Sequence, residues 1–254
     1  MTSNFIFSYN SVTGTLPSQL GNLKQMNFDF EFSSNSLSGT LPSQLGLPAM
    51  RQRFQLDSNR FSGSIPTQFG FSPMQFDFDL SFNRLTSSIP SQIGQMTDLT
   101  DYLNLSMNSL CGEIPTSLEL LLDSMSDSDV TTGNFVGPTS CPTVSGLVAL
   151  YEGTSGRNWR VKQNWMKRDP CDSSWYGFKC SSSGSALELN LDSNNISGSL
   201  PTEAGDLTTL INTFSLNFNS INGSLPTQLG QMVGLKRTFS LGFNFISGTL
   251  PSQV

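Results

Sequence analysis

Asn35-Ser-Leu-Ser-Gly-Thr-Leu-Pro-Ser-Gln-Leu-Gly46 is the stretch that decides the fold, because close variants of it recur along the chain. The leading asparagine returns at a nearly constant interval, apart from one long gap between Asn108 and Asn194. Its positions are Asn10, Asn35, Asn59, Asn83, Asn108, Asn194, Asn219 and Asn244. Repetition with a period of about 20 to 50 residues predicts a solenoid, in which each repeat packs only against its neighbours.

Nearly every repeat carries two apolar residues, separated by one other residue, shortly before its asparagine. The alternation predicts a short strand whose alternate side chains enter the core. Stacked repeats would then form a parallel sheet on the concave side, with strands about 4.8 Å apart. The apolar pairs are Phe30/Phe32, Phe54/Leu56, Phe78/Leu80, Leu103/Leu105, Leu189/Leu191, Phe214/Leu216 and Phe239/Leu241.

The other recurring residues serve the scaffold. The asparagine amide can pair with backbone groups that the bend after the strand leaves unsatisfied. The apolar residue before each proline is extended, and glycines such as Gly39 and Gly46 permit tight bends. We therefore assign the motif to the fold and look for function among exposed residues.

The recurring phrase resembles the plant-type leucine-rich repeat, N-x-L-x-G-x-I-P-x-x-L-G-x-L, over most of the chain. The resemblance implies a leucine-rich-repeat solenoid with a parallel β-sheet on the concave face, an irregular or 3-10 convex side and a short α-helical cap region. Several repeats are slightly longer than the plant type, Phe often replaces Leu, and Ser87 stands where glycine is expected. These departures resemble the repeats of algal and other protist proteins.

The long gap between Asn108 and Asn194 interrupts the repeats. The acidic, Ser-rich stretch 123–129 is expected to be a solvated loop, and the apolar spacing of 142–151 predicts one amphipathic helix. Trp159, Trp165 and the run DPCDSSWYGFKC (169–180) follow. They resemble the N-terminal capping module of plant-type repeat proteins, which covers the otherwise exposed end of a solenoid.

Four segments are therefore expected. The first repeat segment spans 1–117, a closing loop spans 118–141, a helical disulfide cap spans 142–183, and a second repeat segment spans 184–254. Both ends of the chain fall within a repeat, so we expect a fragment of a longer tandem array.

The four cysteines allow three pairings. The resemblance to the capping module implies a Cys171–Cys180 disulfide, which leaves Cys111 with Cys141. Two disulfides imply an oxidising compartment, and we expect an extracellular or cell-surface location. The rival interpretation, a zinc site, needs a different cysteine spacing and finds no histidine. Three sequons, at Asn104, Asn195 and Asn222, fit secretion.

Charge and composition argue against several functions. The net charge of −6 opposes binding to nucleic acid or an anionic membrane, since both are polyanions. No apolar run is long enough to span a membrane as a helix. The chain has no histidine, no Ser/His/Asp set and no phosphate-binding loop, so we expect neither an enzyme nor a cofactor or metal.

Two exposed rows remain as candidate binding sites. The concave row flanks the core positions of the strands, and the resemblance implies a protein, peptide or glycan ligand there; assembly with other repeat proteins is possible. Its candidate ligand-binding residues are Asp29, Glu31, Arg53, Gln55, Asp77, Asp79, Tyr102 and Asn104, and the row continues through Glu188, Asn190, Thr213, Ser215, Thr238 and Ser240.

The second row is a ladder of hydroxyls on the flank of the solenoid, near the Gly and Pro of each repeat. A regular uncharged ladder suits binding to ice or adhesion to a surface, which is the alternative function; Ser and Thr also suit turns. Its members are Thr15, Ser18, Thr40, Ser43, Ser64, Thr67, Ser88, Ser91, Ser199, Thr202, Ser224 and Thr227. A charged residue, Glu113, breaks this row.

Overall fold

A computed structural model describes residues 4–252 of the chain. The chain forms two compact units, Met1–Val136 and Gly137–Val254. We call them unit 1 and unit 2 and describe each by itself.

Unit 1 consists of short strands joined by turns and 3-10 helices. The strands and the one α-helix are β1 (Phe5–Ile6), β2 (Thr13–Gly14), β3 (Phe30–Glu31), β4 (Ser36–Thr40), β5 (Phe54–Gln55), β6 (Arg60–Gly63), β7 (Asp77–Asp79), β8 (Arg84–Ser87), β9 (Tyr102–Asn104), β10 (Ser109–Gly112), α1 (Thr116–Leu122), β11 (Asp127–Asp129) and β12 (Phe135–Val136). The 3-10 helices follow the prolines, at Ser18–Asn22, Ser43–Leu45, Thr67–Phe71 and Ser91–Gln95.

The odd-numbered strands of unit 1 form a parallel sheet in the order β1-β3-β5-β7-β9-β11, which we call the concave sheet. Equivalent residues of successive repeats are paired directly, as Phe30 with Phe54 and Phe54 with Phe78. These buried rings stack 5.4 Å apart between centroids. The phenylalanines that replace leucine thus extend one apolar column through the core, and the predicted solenoid is confirmed.

The even-numbered strands form a second parallel sheet, β12-β10-β8-β6-β4-β2, which we call the flank sheet. Its pairing is offset from the repeat. Ser62 pairs with Arg84 although Thr86 is its equivalent in the next repeat, and Thr13 pairs with Ser36 although its equivalent is Ser38. Equivalent residues are therefore displaced by two positions along neighbouring flank strands, about 6.6 Å at the usual rise per residue.

The repeated asparagines satisfy the bend after each concave strand. Asn59 Nδ2 donates to the carbonyls of Phe32 (2.9 Å), Leu56 (3.3 Å) and Asp57 (3.0 Å). Its Oδ1 accepts from the amide of Leu37 in the preceding repeat (3.0 Å). One buried side chain thus serves four backbone groups that would otherwise be unpaired, which explains why the residue recurs.

The second glycine of the motif is required by close packing between repeats. A Cβ atom on Gly70 would lie 2.0 Å from the carbonyl oxygen of Gln92 in the next repeat. At the position of the first glycine the backbone is left-handed, with φ +76° at Gly63. Ser87 adopts the same conformation with φ 69°, so a non-glycine residue carries the strain in this repeat.

The segment 118–141, which we expect to close the first repeats, contains regular secondary structure. Residues 127–129 form β11, which pairs in parallel with β9, and α1 precedes it. Asn134 replaces the repeat asparagine: its Nδ2 donates to Leu105 O (2.8 Å) and its Oδ1 accepts from Leu110 N (3.0 Å). The interpretation of 123–129 as a solvated loop was wrong for β11, because backbone pairing on the edge of the sheet outweighs the polar side chains.

Unit 2 starts with the cap. Its elements are α2 (Cys141–Gly153), β13 (Phe178–Cys180), β14 (Ala186–Asn190), β15 (Ser197–Ser199), β16 (Thr213–Ser215), β17 (Ser220–Gly223), β18 (Thr238–Ser240) and β19 (Phe245–Ile246), with 3-10 helices at Gly156–Asn158, Thr202–Asp206 and Thr227–Gln231. The predicted helix over 142–151 is confirmed. Strand β13 pairs antiparallel with β14, and β14, β16 and β18 continue in parallel.

The cap is held by aromatic packing and a disulfide. Trp159, Trp165 and Trp175 are buried. The ring centroid of Trp165 lies 4.7 Å from that of Trp159 and 4.8 Å from that of Trp175. Cys171 and Cys180 form the expected disulfide. The pairing of Cys111 with Cys141 and the division into four segments stay predictions.

Candidate ligand-binding face

The candidate residues of the concave row in unit 1 lie side by side on the concave sheet. Asp77, Tyr102 and Asp127 are paired across β7, β9 and β11, and so are Asp79, Asn104 and Asp129. Of the predicted residues, Arg53 is exposed and Asp29, Glu31, Gln55, Asp77, Asp79, Tyr102 and Asn104 are half-buried. The strands therefore present two adjoining columns of mostly acidic or amide side chains.

Arg53 neutralises one end of these columns. Its Nε lies 3.2 Å from Asp77 Oδ2, and its Nη1 lies 3.7 Å from Glu31 Oε1 and 4.0 Å from Asp29 Oδ2. The guanidinium thus contacts carboxylates on both neighbouring repeats. The other end, around Asp79, Asp127 and Asp129, has no ion pair within the residues that the structure describes.

Partial burial of the carboxylates disfavours their charged forms. Burial raises the pKa of Asp79 to about 6. Hydrogen bonds from Ser81 lower this pKa, and the negative charges of Asp57 and Asp77 raise it further. Burial also raises the pKa of Asp77 and of Glu31, in both cases against the attraction of Arg53. A bound cation would reduce the repulsion among these carboxylates, which Arg53 offsets at one end of the columns.

Tyr102 is the aromatic residue among these acids. Its hydroxyl accepts a hydrogen bond from Asn104 Nδ2 at 2.7 Å, and Asn104 Oδ1 accepts from the amide of Ser106 at 3.0 Å. Burial, together with Asp79 and Asp127, raises the pKa of Tyr102. The phenol ring is therefore held between two acidic strands, where its face suits an organic cation.

Four acidic residues of this face were missed by sequence reasoning. Asp57 follows β5 and accepts a hydrogen bond from Ser33, while Asp101 precedes β9. Asp127 and Asp129 were placed in a loop. The signal that could have found them is Asn134, which follows Asn108 at close to the usual repeat interval.

The concave row of unit 2 is close to neutral. Glu188 is paired with Lys179 at 2.9 Å, and Ser215 donates to Asp192 at 2.7 Å. Asn217 Oδ1 accepts from Ser240 at 2.7 Å. These side chains largely satisfy one another. Glu188, Thr213 and Ser240 are half-buried, Ser215 is buried, and Asn190 and Thr238 are exposed.

The residues of the flank ladder lie at the ends of the flank strands and at the starts of the 3-10 helices that follow them. Ser43 is half-buried and the other eleven hydroxyl residues are exposed. Several hydroxyls bond locally: Thr202 donates to Glu203 at 2.9 Å and Thr227 to Gln228 at 3.1 Å. The two-residue offset of the flank sheet also means that equivalent residues such as Thr40 and Ser64 do not stand directly opposite each other.

Within residues 4–252, no group of three or more His, Cys, Asp or Glu side chains has the geometry to hold a metal ion. No helix of the described chain is long and apolar enough to cross a membrane.

Comparisons with known proteins agree with the fold. The Leucine Rich Repeat family model matches residues 77–96, 101–121 and 186–207. Receptor protein kinase WSS1 of Oryza sativa subsp. japonica is 28% identical over 131 residues, 42% of this chain and 14% of the kinase. The chain therefore spans only a small part of this relative.

Two solved structures are similar to this chain. The Arabidopsis receptor kinase HAESA, in complex with the peptide hormone IDA and the co-receptor SERK1, is 23% identical, with a TM-score of 0.47 over 98% of this chain and 39% of that chain. A plant ice-binding protein is 23% identical, with a TM-score of 0.44 over 95% of this chain and 64% of that chain. The family model matches repeats in both units, and both units contain parallel sheets, so the chain has the fold of a leucine-rich-repeat solenoid.

Proposed function

We propose that the chain is a non-enzymatic extracellular recognition module whose concave sheet in unit 1 binds a cationic segment of a peptide or protein. The observation that carries the proposal is the pair of in-register columns Asp77-Tyr102-Asp127 and Asp79-Asn104-Asp129. The columns repeat at the strand spacing of about 4.8 Å, so the long cationic side chains of one bound segment can reach carboxylates on more than one strand.

Charge supports a basic ligand over an acidic or neutral one. Unit 1 contains twelve Asp and Glu residues against five Lys and Arg residues. One of those five, Arg53, already lies among the concave carboxylates. The resulting negative potential would attract a cationic ligand and speed its association.

The test is a titration of the full chain with two synthetic peptides, one alternating Lys and Ser and one alternating Glu and Ser. We expect binding of the Lys peptide only. A triple variant, Asp79→Asn, Asp127→Asn and Asp129→Asn, should weaken it at least tenfold, about 1.4 kcal/mol.

The matched control removes the same charge elsewhere in unit 1, by Asp98→Asn, Glu113→Gln and Glu119→Gln, all exposed and outside the concave sheet. It should bind like the unmodified chain. Equal losses in both variants would reduce the effect to bulk charge, and no binding of the Lys peptide would overturn the proposal.

The flank ladder supports a second candidate, binding to ice, because eleven of its twelve hydroxyl residues are exposed and none carries a charge. The offset pairing of the flank sheet and the local hydrogen bonds of Thr202 and Thr227 weigh against a straight hydroxyl lattice. Thermal hysteresis that is lost in Thr40→Lys/Thr67→Lys but kept in the concave triple variant would favour it. Absence of any effect on ice growth would exclude it.

A further inference from the structure

A basic stretch of the cap, residues 157–168, is used by neither candidate function. We call it the basic cap segment. It holds five of the eight Lys and Arg residues of unit 2 within twelve positions. All five are exposed, and they are Arg157, Arg160, Lys162, Lys167 and Arg168.

Buried tryptophans fix this segment to the cap. Trp159 Nε1 donates to Thr154 O at 3.0 Å, and Trp165 Nε1 donates to Tyr176 O at 2.9 Å. Asn194 adds a reciprocal pair with Val161, accepting from its amide at 2.7 Å and donating to its carbonyl at 2.9 Å. With these residues inside, the charged residues between them are turned to solvent in a fixed arrangement.

The backbone of the segment is strained in a way that only such anchoring can maintain. Asn164, Met166 and Arg168 all have left-handed conformations, with φ 64°, 63° and 46°. The conformation costs about 1–2 kcal/mol for a residue such as Met166 or Arg168. Asn164 Nδ2 donates to Ser173 O at 2.6 Å and its carbonyl accepts from Lys167 N at 3.1 Å, which stabilises the turn.

The five cations of the segment are exposed, and the Glu152 carboxylate lines the same cavity as one of them, Arg157. None of them forms an ion pair with a described residue. Lys162 Nζ instead donates to the carbonyl of Arg157, which brings two positive residues of the segment together. Five exposed basic residues within twelve positions of the chain favour a polyanionic ligand.

A cavity of about 590 Å³ adjoins the start of the segment. Its lining includes Arg157 together with polar groups that suit sugar hydroxyls, from Tyr151, Ser155 and Asn158. The carboxylate of Glu152 also lines the cavity and can accept hydrogen bonds from sugar hydroxyls.

We propose that the basic cap segment binds an acidic polysaccharide, with its exposed bases on the anionic groups and the adjoining cavity on a neutral sugar face. Arginine and lysine pair with carboxylate and sulfate groups, and amide and hydroxyl groups pair with sugar hydroxyls. The site lies in unit 2 and does not depend on the concave face of unit 1.

The other polyanions fit less well. Single-stranded nucleic acid is bound by stacking of successive bases on exposed aromatic rings. Trp159, Trp165 and Trp175 are buried, and the exposed Tyr176 alone does not make a row of stacking positions. An anionic membrane surface is bound by an apolar face that enters the lipid beside the bases. The apolar side chains of the segment offer no such face, because its tryptophans are buried and Val161 and Met166 are half-buried.

The experiment is native electrophoresis of the full chain in gels containing polygalacturonate, dextran sulfate or neutral dextran. We expect retardation by an acidic polymer and none by neutral dextran. The triple variant Arg160→Ser, Lys162→Ser and Lys167→Ser should weaken the retardation at least tenfold. The control Lys24→Ser, Lys236→Ser and Arg237→Ser removes three exposed bases elsewhere and should leave it unchanged.

Tryptophan emission reports whether a variant keeps its cap, because all three tryptophans lie there. If the triple variant loses the cap, single variants Arg160→Gln and Lys162→Gln replace it, each with about a threefold loss expected. Retardation by carboxylated or by sulfated polymer alone identifies the anion within the proposed class. No retardation, equal loss in the control, or tighter binding of an oligothymidine overturns the proposal.

Discussion

Arg53 contacts Asp77 across the concave sheet, with its Nε 3.2 Å from the carboxylate on the neighbouring strand. The same guanidinium lies 3.7 Å from Glu31. The arginine therefore occupies the position that a ligand cation would take at this end of the acidic columns. This relationship makes Arg53 an internal competitor for the proposed ligand.

Replacing Arg53 by Gln should strengthen binding of the Lys/Ser peptide about threefold to tenfold, because three carboxylates lose their internal partner. The free energy of unfolding should change by less than about 1 kcal/mol, since the Arg53 side chain in these pairs is exposed to solvent. Titration calorimetry measures the affinity for the peptide, and urea unfolding measures the free energy of unfolding. Arg51→Gln is the control, because Arg51 is exposed and forms no ion pair with a described residue. A similar gain there would contradict a specific role for Arg53.

Binding of the cationic peptide should weaken as the pH falls through about 6, because Asp79 then becomes neutral. Its folded-state pKa lies above the ordinary value of 3.8. The folded state therefore holds this proton more tightly than the unfolded state, and the contribution of Asp79 to folding becomes more favourable as the pH falls from 7 towards 4. Acid should thus weaken binding before it destabilises unit 1.

The control for this pH dependence is Asp79→Asn. Asn104 occupies the paired position on the next strand and accepts from Ser106 N, as Asp79 accepts from Ser81 N at 2.8 Å, so asparagine suits the site. The variant should bind more weakly at pH 7 and should lose most of the change near pH 6. An unchanged pH profile would assign the effect to another group.

Asn108→Ala should destabilise unit 1 by about 3 kcal/mol. The buried amide donates to Leu80 O, Leu105 O and Ser106 O at 3.0–3.2 Å and accepts from Leu85 N at 2.9 Å. Alanine leaves these groups unpaired inside the core. Urea unfolding followed by circular dichroism measures the loss.

Asn10 provides the comparison for that substitution. It stands at the same motif position but is exposed, and its Nδ2 donates to Phe7 O and Ser8 O among the described residues. Asn10→Ala should cost less than about 1 kcal/mol, because water can replace both bonds. Equal losses at the two positions would refute the account of the buried asparagine.

The sequence predicts the backbone of this protein better than its surface chemistry. Period and alternation place Phe30, Phe54 and Phe78 in one column, because the core admits only apolar side chains there. Strand β11 was not predicted, because Ser128 stands where the other repeats have an apolar residue. Gly133 also lengthens the segment before Asn134. At the edge of the sheet, backbone pairing needs no apolar signal.

The candidate face was predicted as a set of residues and not as an electrostatic arrangement. That Asp77 and Asp79 flank Phe78 follows from strand alternation. The contacts of Arg53 depend on side-chain torsions, and the pKa of Asp79 depends on burial by neighbours distant in sequence. The offset of the flank sheet is likewise a property of the backbone path, which the repeat length does not specify.

The Cys111–Cys141 disulfide predicted from the sequence can be tested directly. Non-reducing proteolysis with mass spectrometry should recover one linked peptide containing Cys171 and Cys180, and a second containing Cys111 and Cys141. Recovery of Cys111 or Cys141 with any other partner would contradict the pairing. The Cys171–Cys180 peptide is the internal control, because the structure contains that disulfide.

Asp169→Ala should unfold the cap more readily, at a cost of about 3 kcal/mol. This carboxylate is fully buried, and Oδ1 accepts from Thr139 Oγ1 at 2.7 Å and from Cys171 N at 2.8 Å, while Oδ2 accepts from Thr139 N at 2.9 Å. Alanine would leave these buried donors without an acceptor, in the turn that leads into the disulfide.

Tryptophan fluorescence during urea unfolding measures the loss, since all three tryptophans lie in unit 2. The control is Asp172→Ala, which removes a nearby exposed carboxylate. The backbone amide of residue 172, which lies 3.3 Å from Asp169 Oδ1, is kept in this variant. Its midpoint should stay close to that of the unmodified chain, because no buried donor loses its partner. If Asp169→Ala lowers the urea midpoint no more than Asp172→Ala does, the Asp169 carboxylate does not stabilise this turn. The tryptophan cluster and the disulfide would then be sufficient to stabilise the cap.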